Sequence, residues 1–196
     1  MNIALYFGSF NPIHNGHLII AQHILNETDQ DQVWLIVSPQ NPFKKQKELL
    51  NEYDRLHLIK IATEGSDNLK AKDIEFKLPK PSYTINTLTY LKEKYSKHTF
   101  SIIVGSDSLQ NLNKWKNAEL LMKQYAIIVF ERPGFPITNP GVTNLQIAKA
   151  PLLEISSTHI RKLIQRKASI RFLVSDRVRD EINSNGYYKL KNPSEE

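Results

Sequence analysis

His14 and His17 stand three residues apart in the stretch LYFGSFNPIHNGHL (5–18), bracketing Asn15 and Gly16. An apolar run ends at Gly8, a turn follows, and a second apolar run begins at Leu18. If a helix starts near His14, the two imidazoles share roughly one face, about 4.5 Å apart along the axis. There they join the first backbone N–H groups and the positive end of the helix dipole, a combination suited to polyanionic oxygens. Phosphoryl and nucleotidyl transfer depend on alignment and charge stabilisation, so imidazole donors fit that chemistry. Plainer readings compete. One histidine at a helix start is commonly a surface residue or a satisfied core donor. A pair could bind zinc, but the nearest acidic residue is Glu27 and no third local ligand is evident. A bare H-x-x-H says little; strand, glycine, proline, H-x-G-H and helix in succession say much more. Neither G-x-G-x-x-G nor G-x-x-x-x-G-K-[ST] occurs, so this turn holds its ligand in another way.

Two further stretches carry similar chemistry. In GSDSLQNLNKWKNAELL (105–121), Gly105 allows close approach. Asp107 can accept from a ribose hydroxyl or position a hydrated metal, and Trp115 offers a stacking plate. The alternative is a core tryptophan and an aspartate that merely caps a helix. In ISSTHIRKLI (155–164), hydroxyls at Ser156, Ser157 and Thr158 precede Arg161 by one turn, which makes either a second anion cradle or a plain N-cap.

The elements that must position these residues follow from periodicity. Strands are expected at 2–7, 32–37, 71–76, 99–104 and 125–130, with short ones at 145–149 and 152–155. Helices are expected at 16–27, 52–64, from a cap at Ser82 or Thr84 to about Tyr95, from Gly105 to about Lys123, over 156–167, and over 176–185 before Gly186. Residues 131–143 hold three prolines and two glycines and are expected as loop. Strands alternating with helices imply a Rossmann-like, doubly wound α/β fold: a mostly parallel sheet with helices on both faces. Ligands of such sheets sit beyond the carboxyl ends of the strands. That rule places Gly8–His17, Ser38–Lys47, Gly105–Asp107 and Ser156–Arg161 along one edge.

Composition sets bounds. The 196 residues, 40% hydrophobic and 23% charged, suit one globular domain over 1–190, with a C-terminal helical part at about 156–188 and a tail at 191–196. No apolar run is long enough to span a bilayer, and the start lacks the basic n-region of a signal peptide, so no membrane partner is expected. Zero cysteines exclude disulfides, thiolate metal sites and a cysteine nucleophile, and agree with a cytoplasmic setting. The net charge of +6 describes either a solvated basic surface or an anionic partner.

Taken together, GSFNPIHNGH, PSYTINTL, GSDSLQNLNKW, RPG, ISSTHIR and the closing V-x-x-x-I-x-x-x-G-Y-Y resemble bacterial nicotinate-nucleotide adenylyltransferases over about residues 2 to 188. Class I aminoacyl-tRNA synthetases share the H-x-G-H turn but carry a K-M-S-K-S loop that is missing here. The resemblance implies transfer of AMP from ATP to nicotinate mononucleotide, giving nicotinate adenine dinucleotide and pyrophosphate in NAD biosynthesis. By position it implies that Gly8, Ser9 and Phe10 line the nucleotide turn and that His14 and His17 hold the triphosphate. Ser156, Thr158 and Arg161 grip the phosphates from the other side, and Gly105 and Asp107 lie near the ATP ribose and metal. Thr84, Trp115 and Lys44 bind the nicotinate nucleotide. His14, His17 and Arg161 would be the catalytic set, with Mg²⁺ carried by the ATP phosphates and no protein-held metal. Departures from the family pattern are Phe7, Ser9 and Asn11 where G-G-T-F-D-P is usual, Phe43 in NPFKK where P-P-H-K is usual, and Asn86 where aspartate is common. They bear on fine specificity rather than on the reaction.

Alternatives remain in the same fold: nicotinamide mononucleotide, phosphopantetheine, or a sugar or polyol phosphate as acceptor. A non-catalytic nucleic-acid-binding domain would use the +6 charge and the basic run Lys162, Arg166, Lys167 and Arg171, but those residues make a solvated face just as well, and no nucleic-acid partner is expected. Whether the chain forms a homo-oligomer is left open by the sequence.

Overall fold

The computed structural model describes residues 1–40 and 49–190. Among the described residues, six strands form one sheet in the order β3-β2-β1-β4-β5-β6, and each of its pairings is parallel. The strands are β1 (Asn2–Gly8), β2 (Gln32–Val37), β3 (Leu69–Lys72), β4 (Thr99–Gly105), β5 (Ala126–Phe130) and β6 (Leu145–Ala148). The sheet is therefore wholly parallel, where the sequence suggested mostly so. Its order reverses between β1 and β4, and this is where a doubly wound sheet opens a crevice at its carboxyl edge.

Successive residues of β1 point to opposite faces. Ala4 and Tyr6 join Val33, Leu35 and Val37 in a core beneath helices α1 (Asn15–Glu27) and α2 (Glu52–Ala62). Ile3 and Leu5 join Trp34 and Ile36 under α3 (Thr84–Lys94) and α5 (Ala118–Gln124). Both sheet faces are thus covered, which is why the central strands are apolar without alternation. The C-terminal helices α6 (Ser157–Gln165) and α7 (Asp176–Ser184) add Ile160, Leu163, Val178 and Ile182 to the first of these cores. No helix among the described residues is long and apolar enough to cross a membrane.

Helix ends follow local chemistry. Asn51 caps α2 by accepting from the Tyr53 N–H at 2.9 Å, Ser156 caps α6 from the His159 N–H at 3.2 Å, and Ser175 caps α7 from the Val178 N–H at 3.4 Å. Gly186, at φ +64°, follows α7 as expected of a glycine stop.

Four expectations are corrected. The strand foreseen at 71–76 runs at Leu69–Lys72 and gives way to a 3-10 turn, Ile74–Lys77, because Glu75 and Phe76 turn inward instead of alternating. No strand forms at 152–155: residues 149–156 cross to α6 without regular structure. The helix from Gly105 to Lys123 is broken into α4 (Ser106–Leu109), a 3-10 turn Leu112–Lys114, and α5, with Asn117 left-handed at φ 55° before α5 begins. Finally, neither Ser82 nor Thr84 caps α3; Tyr83 occupies that position without a side-chain bond, and Ser82 is buried beside it.

Candidate active site

A cavity of about 790 Å³ opens at the carboxyl edge, over the crevice between β1 and β4. Of the residues singled out in the sequence, Gly8, Ser9, Phe10, His14, His17, Thr84, Gly105, Asp107, Trp115, Ser156, Thr158 and Arg161 all line it. Lys44, together with Phe43, lies outside the described residues. The edge rule therefore holds for every described segment that it named.

One wall is the turn from β1 into α1. Gly8 is required here: a Cβ on it would come within 2.9 Å of the Phe10 ring, itself only 2% exposed. That ring meets Tyr6 and His17 edge-on at 5.7 and 5.0 Å, so Phe10 props the turn from below. Asn11 ties the turn on two sides. Its Oδ1 accepts from the Leu50 N–H at 3.1 Å, and its main-chain oxygen accepts from Arg161 Nη1 at 2.8 Å. An amide oxygen does this as well as a carboxylate, so the departure at this position leaves the tie intact.

His14 occupies the N-cap of α1 and His17 the third helical position. Their rings stack at 3.6 Å with 24° between planes. His17 Nδ1 accepts from the His14 main-chain N–H at 3.3 Å, which leaves the ring proton on Nε2. His14 is 6% exposed; burial, with the Arg132 guanidinium adding to it, pushes its imidazole down to about 4 from the ordinary 6.5. At physiological pH it is therefore the neutral imidazole.

The opposite wall is the start of α6. Thr158 is exposed and Arg161 half-buried, and Arg161 Nη2 reaches Thr158 Oγ1 at 3.5 Å. Ser156 caps the helix. Ser157, given no role by the sequence pattern beyond its hydroxyl, donates to the Pro12 carbonyl at 2.8 Å and pins α6 to the histidine turn. The histidine turn and the start of α6 are thus joined directly.

The floor is formed where β4 and β5 end. A Cβ on Gly105 would lie 2.5 Å from Asp107 Oδ1 and 2.9 Å from Arg132 Nε, so only glycine admits this pair. Asp107 and Arg132 stand 3.4 Å apart as an ion pair. Arg132 was missed as a site residue although the motif RPG contains it; it follows β5, so the edge rule would have found it.

The remaining end of the cavity is built from the half-buried Trp115, Tyr83, Thr84, and the buried Ser38, Ser82 and Glu75. Lys116 lies over the Tyr83 ring at 4.6 Å, linking the segment after β4 to the start of α3. Glu75 gave no sequence signal, since an acidic residue in an alternating run is expected to face solvent. Arg55 was likewise missed. It is 1% exposed and donates to the carbonyls of Ser9 (2.6 Å), Leu50 (2.8 Å), Ser38 (2.9 Å) and Pro39 (3.3 Å), clamping the loops after β1 and β2 together. Among the described residues, no group of three or more His, Asp or Glu side chains is placed to hold a metal ion.

Comparison with known proteins gives a consistent result. A family model described as cytidylyltransferase-like matches residues 5–163. Proteins named "Probable nicotinate-nucleotide adenylyltransferase" from Cytophaga hutchinsonii and Flavobacterium psychrophilum are each 48% identical over 191 and 192 residues, covering 96% of this chain and 98% and 100% of theirs. Among solved structures, the Plasmodium falciparum nicotinic acid mononucleotide adenylyltransferase complexed with NaAD superposes with a TM-score of 0.81 at 24% identity, over 95% of this chain and 97% of that one.

Proposed function

This chain belongs to the nicotinate-nucleotide adenylyltransferases of the cytidylyltransferase-like family, and from that membership we propose that it transfers AMP from ATP to nicotinate mononucleotide. The products are nicotinate adenine dinucleotide and pyrophosphate. The observation that supports this reading is one cavity lined at once by the His14–His17 turn, by the helix start at Thr158–Arg161, and by Trp115, Thr84 and Tyr83. A single domain over 1–190 is part of this reading; in its support, α6 lines the cavity and shares a core with the sheet.

The reaction is a direct displacement. A phosphate oxygen of the mononucleotide attacks the α-phosphorus of ATP, one P–O bond forms, and the bond to the leaving pyrophosphate breaks. The attacking phosphate is already ionised at neutral pH, so no strong general base is needed and no covalent enzyme intermediate forms. Catalysis comes from bringing two anions together and offsetting their repulsion. His17 Nε2–H and the neutral His14 face the triphosphate, with Arg161 and the hydroxyls of Ser156 and Thr158 opposite. Gly8, Ser9 and Phe10 shape the nucleotide turn, while Gly105 and Asp107 approach the ATP ribose. Trp115 stacks on the pyridine ring beside Thr84, and the resemblance gives a phosphate to Lys44, which lies outside the described residues.

ATP of this kind travels with Mg²⁺, and the donor set is compatible: a cation already held by phosphates needs one or two carboxylates at most, and Asp107 provides one. Bound there, it supplies neutralisation of charge on the phosphate oxygens.

Pyrophosphate release from Mg·ATP, measured in parallel with nicotinate mononucleotide, nicotinamide mononucleotide and phosphopantetheine, tests the reading. Release with the nicotinate nucleotide in clear excess over the other two is expected. Release with none of the three overturns the assigned reaction while leaving the fold in place.

A further inference from the structure

Glu75 sits on the 3-10 turn between β3 and α3, 1% exposed, at the end of the cavity that holds Ser82, Tyr83, Thr84 and Trp115. Its Oε1 accepts from Thr87 Oγ1 at 2.9 Å. Among the described residues, its buried Oε2 meets no donor in good hydrogen-bond geometry, and the neighbouring buried Ser82 Oγ meets no partner in good geometry either. Burial raises the affinity of this carboxyl for its proton; the groups that pull the other way are the hydroxyls of Thr87, Ser38 and Ser82, none of them a cation. Among the described residues, the charges nearby are engaged elsewhere: Arg55, behind Ser38, donates to four carbonyls, Lys116 lies over the Tyr83 ring, and Lys72 lies over Trp34 at 4.2 Å.

We propose that Glu75 is a specificity-determining residue of the acceptor end: uncharged, it admits a pyridine nucleotide that carries its own carboxylate, and ionised, it expels that nucleotide while tolerating the carboxamide. The inference rests on the acceptor assignment made under Proposed function. Two carboxylates sharing a partly dry pocket cannot both be ionised without strong mutual penalty. A neutral carboxyl can instead donate its proton to the nicotinate carboxylate, whereas an ionised one can only accept, as from an amide N–H. Binding of the nicotinate nucleotide is then linked to retention of one proton on Glu75.

The test is calorimetric binding of nicotinate and nicotinamide mononucleotides to the full-length protein across pH. Their 5′-phosphates titrate alike, so the ratio of the two Kd values isolates the pyridine end. In the wild type the ratio is expected to turn against the nicotinate nucleotide by about tenfold per pH unit once Glu75 ionises, the slope of one linked proton. In Glu75→Gln the ratio should be independent of pH. In Thr87→Val, which removes a donor to the ionised form, the break should move to higher pH. A pH-independent ratio in the wild type, or Glu75→Gln keeping the wild-type trend, overturns the proposal. If Glu75→Gln does not fold, an unmoved break in Thr87→Val overturns it instead, and a break displaced upward supports it. Wild-type protein that binds neither nucleotide removes the acceptor assignment itself, and this inference with it, whereas normal product formation with a flat ratio removes only the inference.

Discussion

His14 and His17 share a turn of helix but not an environment. His14 is buried and neutral, whereas His17 is half-buried, with its Nδ1 occupied by a main-chain N–H and its proton on Nε2. His17→Ala is therefore expected to lower kcat by about 100-fold, the usual cost of one donor aimed at developing charge, while KM for nicotinate mononucleotide changes little. Steady-state kinetics with each substrate varied in turn checks this; an unchanged kcat removes His17 from the mechanism. The depressed His14 pKa makes a separate prediction about stability. Between about 4 and 6.5 the unfolded chain binds a proton that the folded chain does not, so stability rises with pH across that window and falls on acidification. The contribution is on the order of 3 kcal/mol at most. Thermal unfolding followed between pH 4 and pH 7 should show a shallower acid limb in His14→Gln than in the wild type.

At the scale of elements, the site depends on the two segments that follow β1 and β2. Arg55, from α2, holds both by four bonds to carbonyl oxygens, with no carboxylate bonded to it among the described residues. Its planar fork matches acceptors that diverge in direction, which an ammonium cannot do. Arg55→Leu leaves those carbonyls unsatisfied and should destabilise the fold by about 3 kcal/mol or more. Arg55→Lys should restore little of that stability and little of kcat/KM; denaturant unfolding and the pyrophosphate assay report the two effects. Recovery of both by lysine would mean that charge alone, and not the fork, organises the loops. The break between α4 and α5 belongs to the same scale. Asn117 in the left-handed region ends a helical pattern that periodicity ran straight through, and the interruption leaves Trp115 half-buried at the cavity.

For the whole molecule, the alternation of strands and helices, the carboxyl-edge placement of the site and the paired-histidine turn were all legible in the amino-acid sequence. These depend on local periodicity, glycine and proline punctuation, and residues within one helical turn of each other. Of the strand assignments, that at 71–76 formed at Leu69–Lys72 and that at 152–155 did not form, because a run of a few residues fits a strand, a turn or a covered loop about equally by local pattern. Tertiary structure alone decided which polar residues are inside. Arg55 and Glu75 look like solvent-facing charges in their segments, and only the packing of α2 against two loops, and of the 3-10 turn against α3, takes them out of water. It also joined the walls of the site, through Ser157 to Pro12 across 145 residues and Arg161 to Asn11 across 150. Local sequence determined the elements and the chemistry each one carries. Which charges lose their solvent, and which distant hydroxyls and guanidinium groups meet, depends on contacts between segments far apart in the chain, and no local periodicity encodes those.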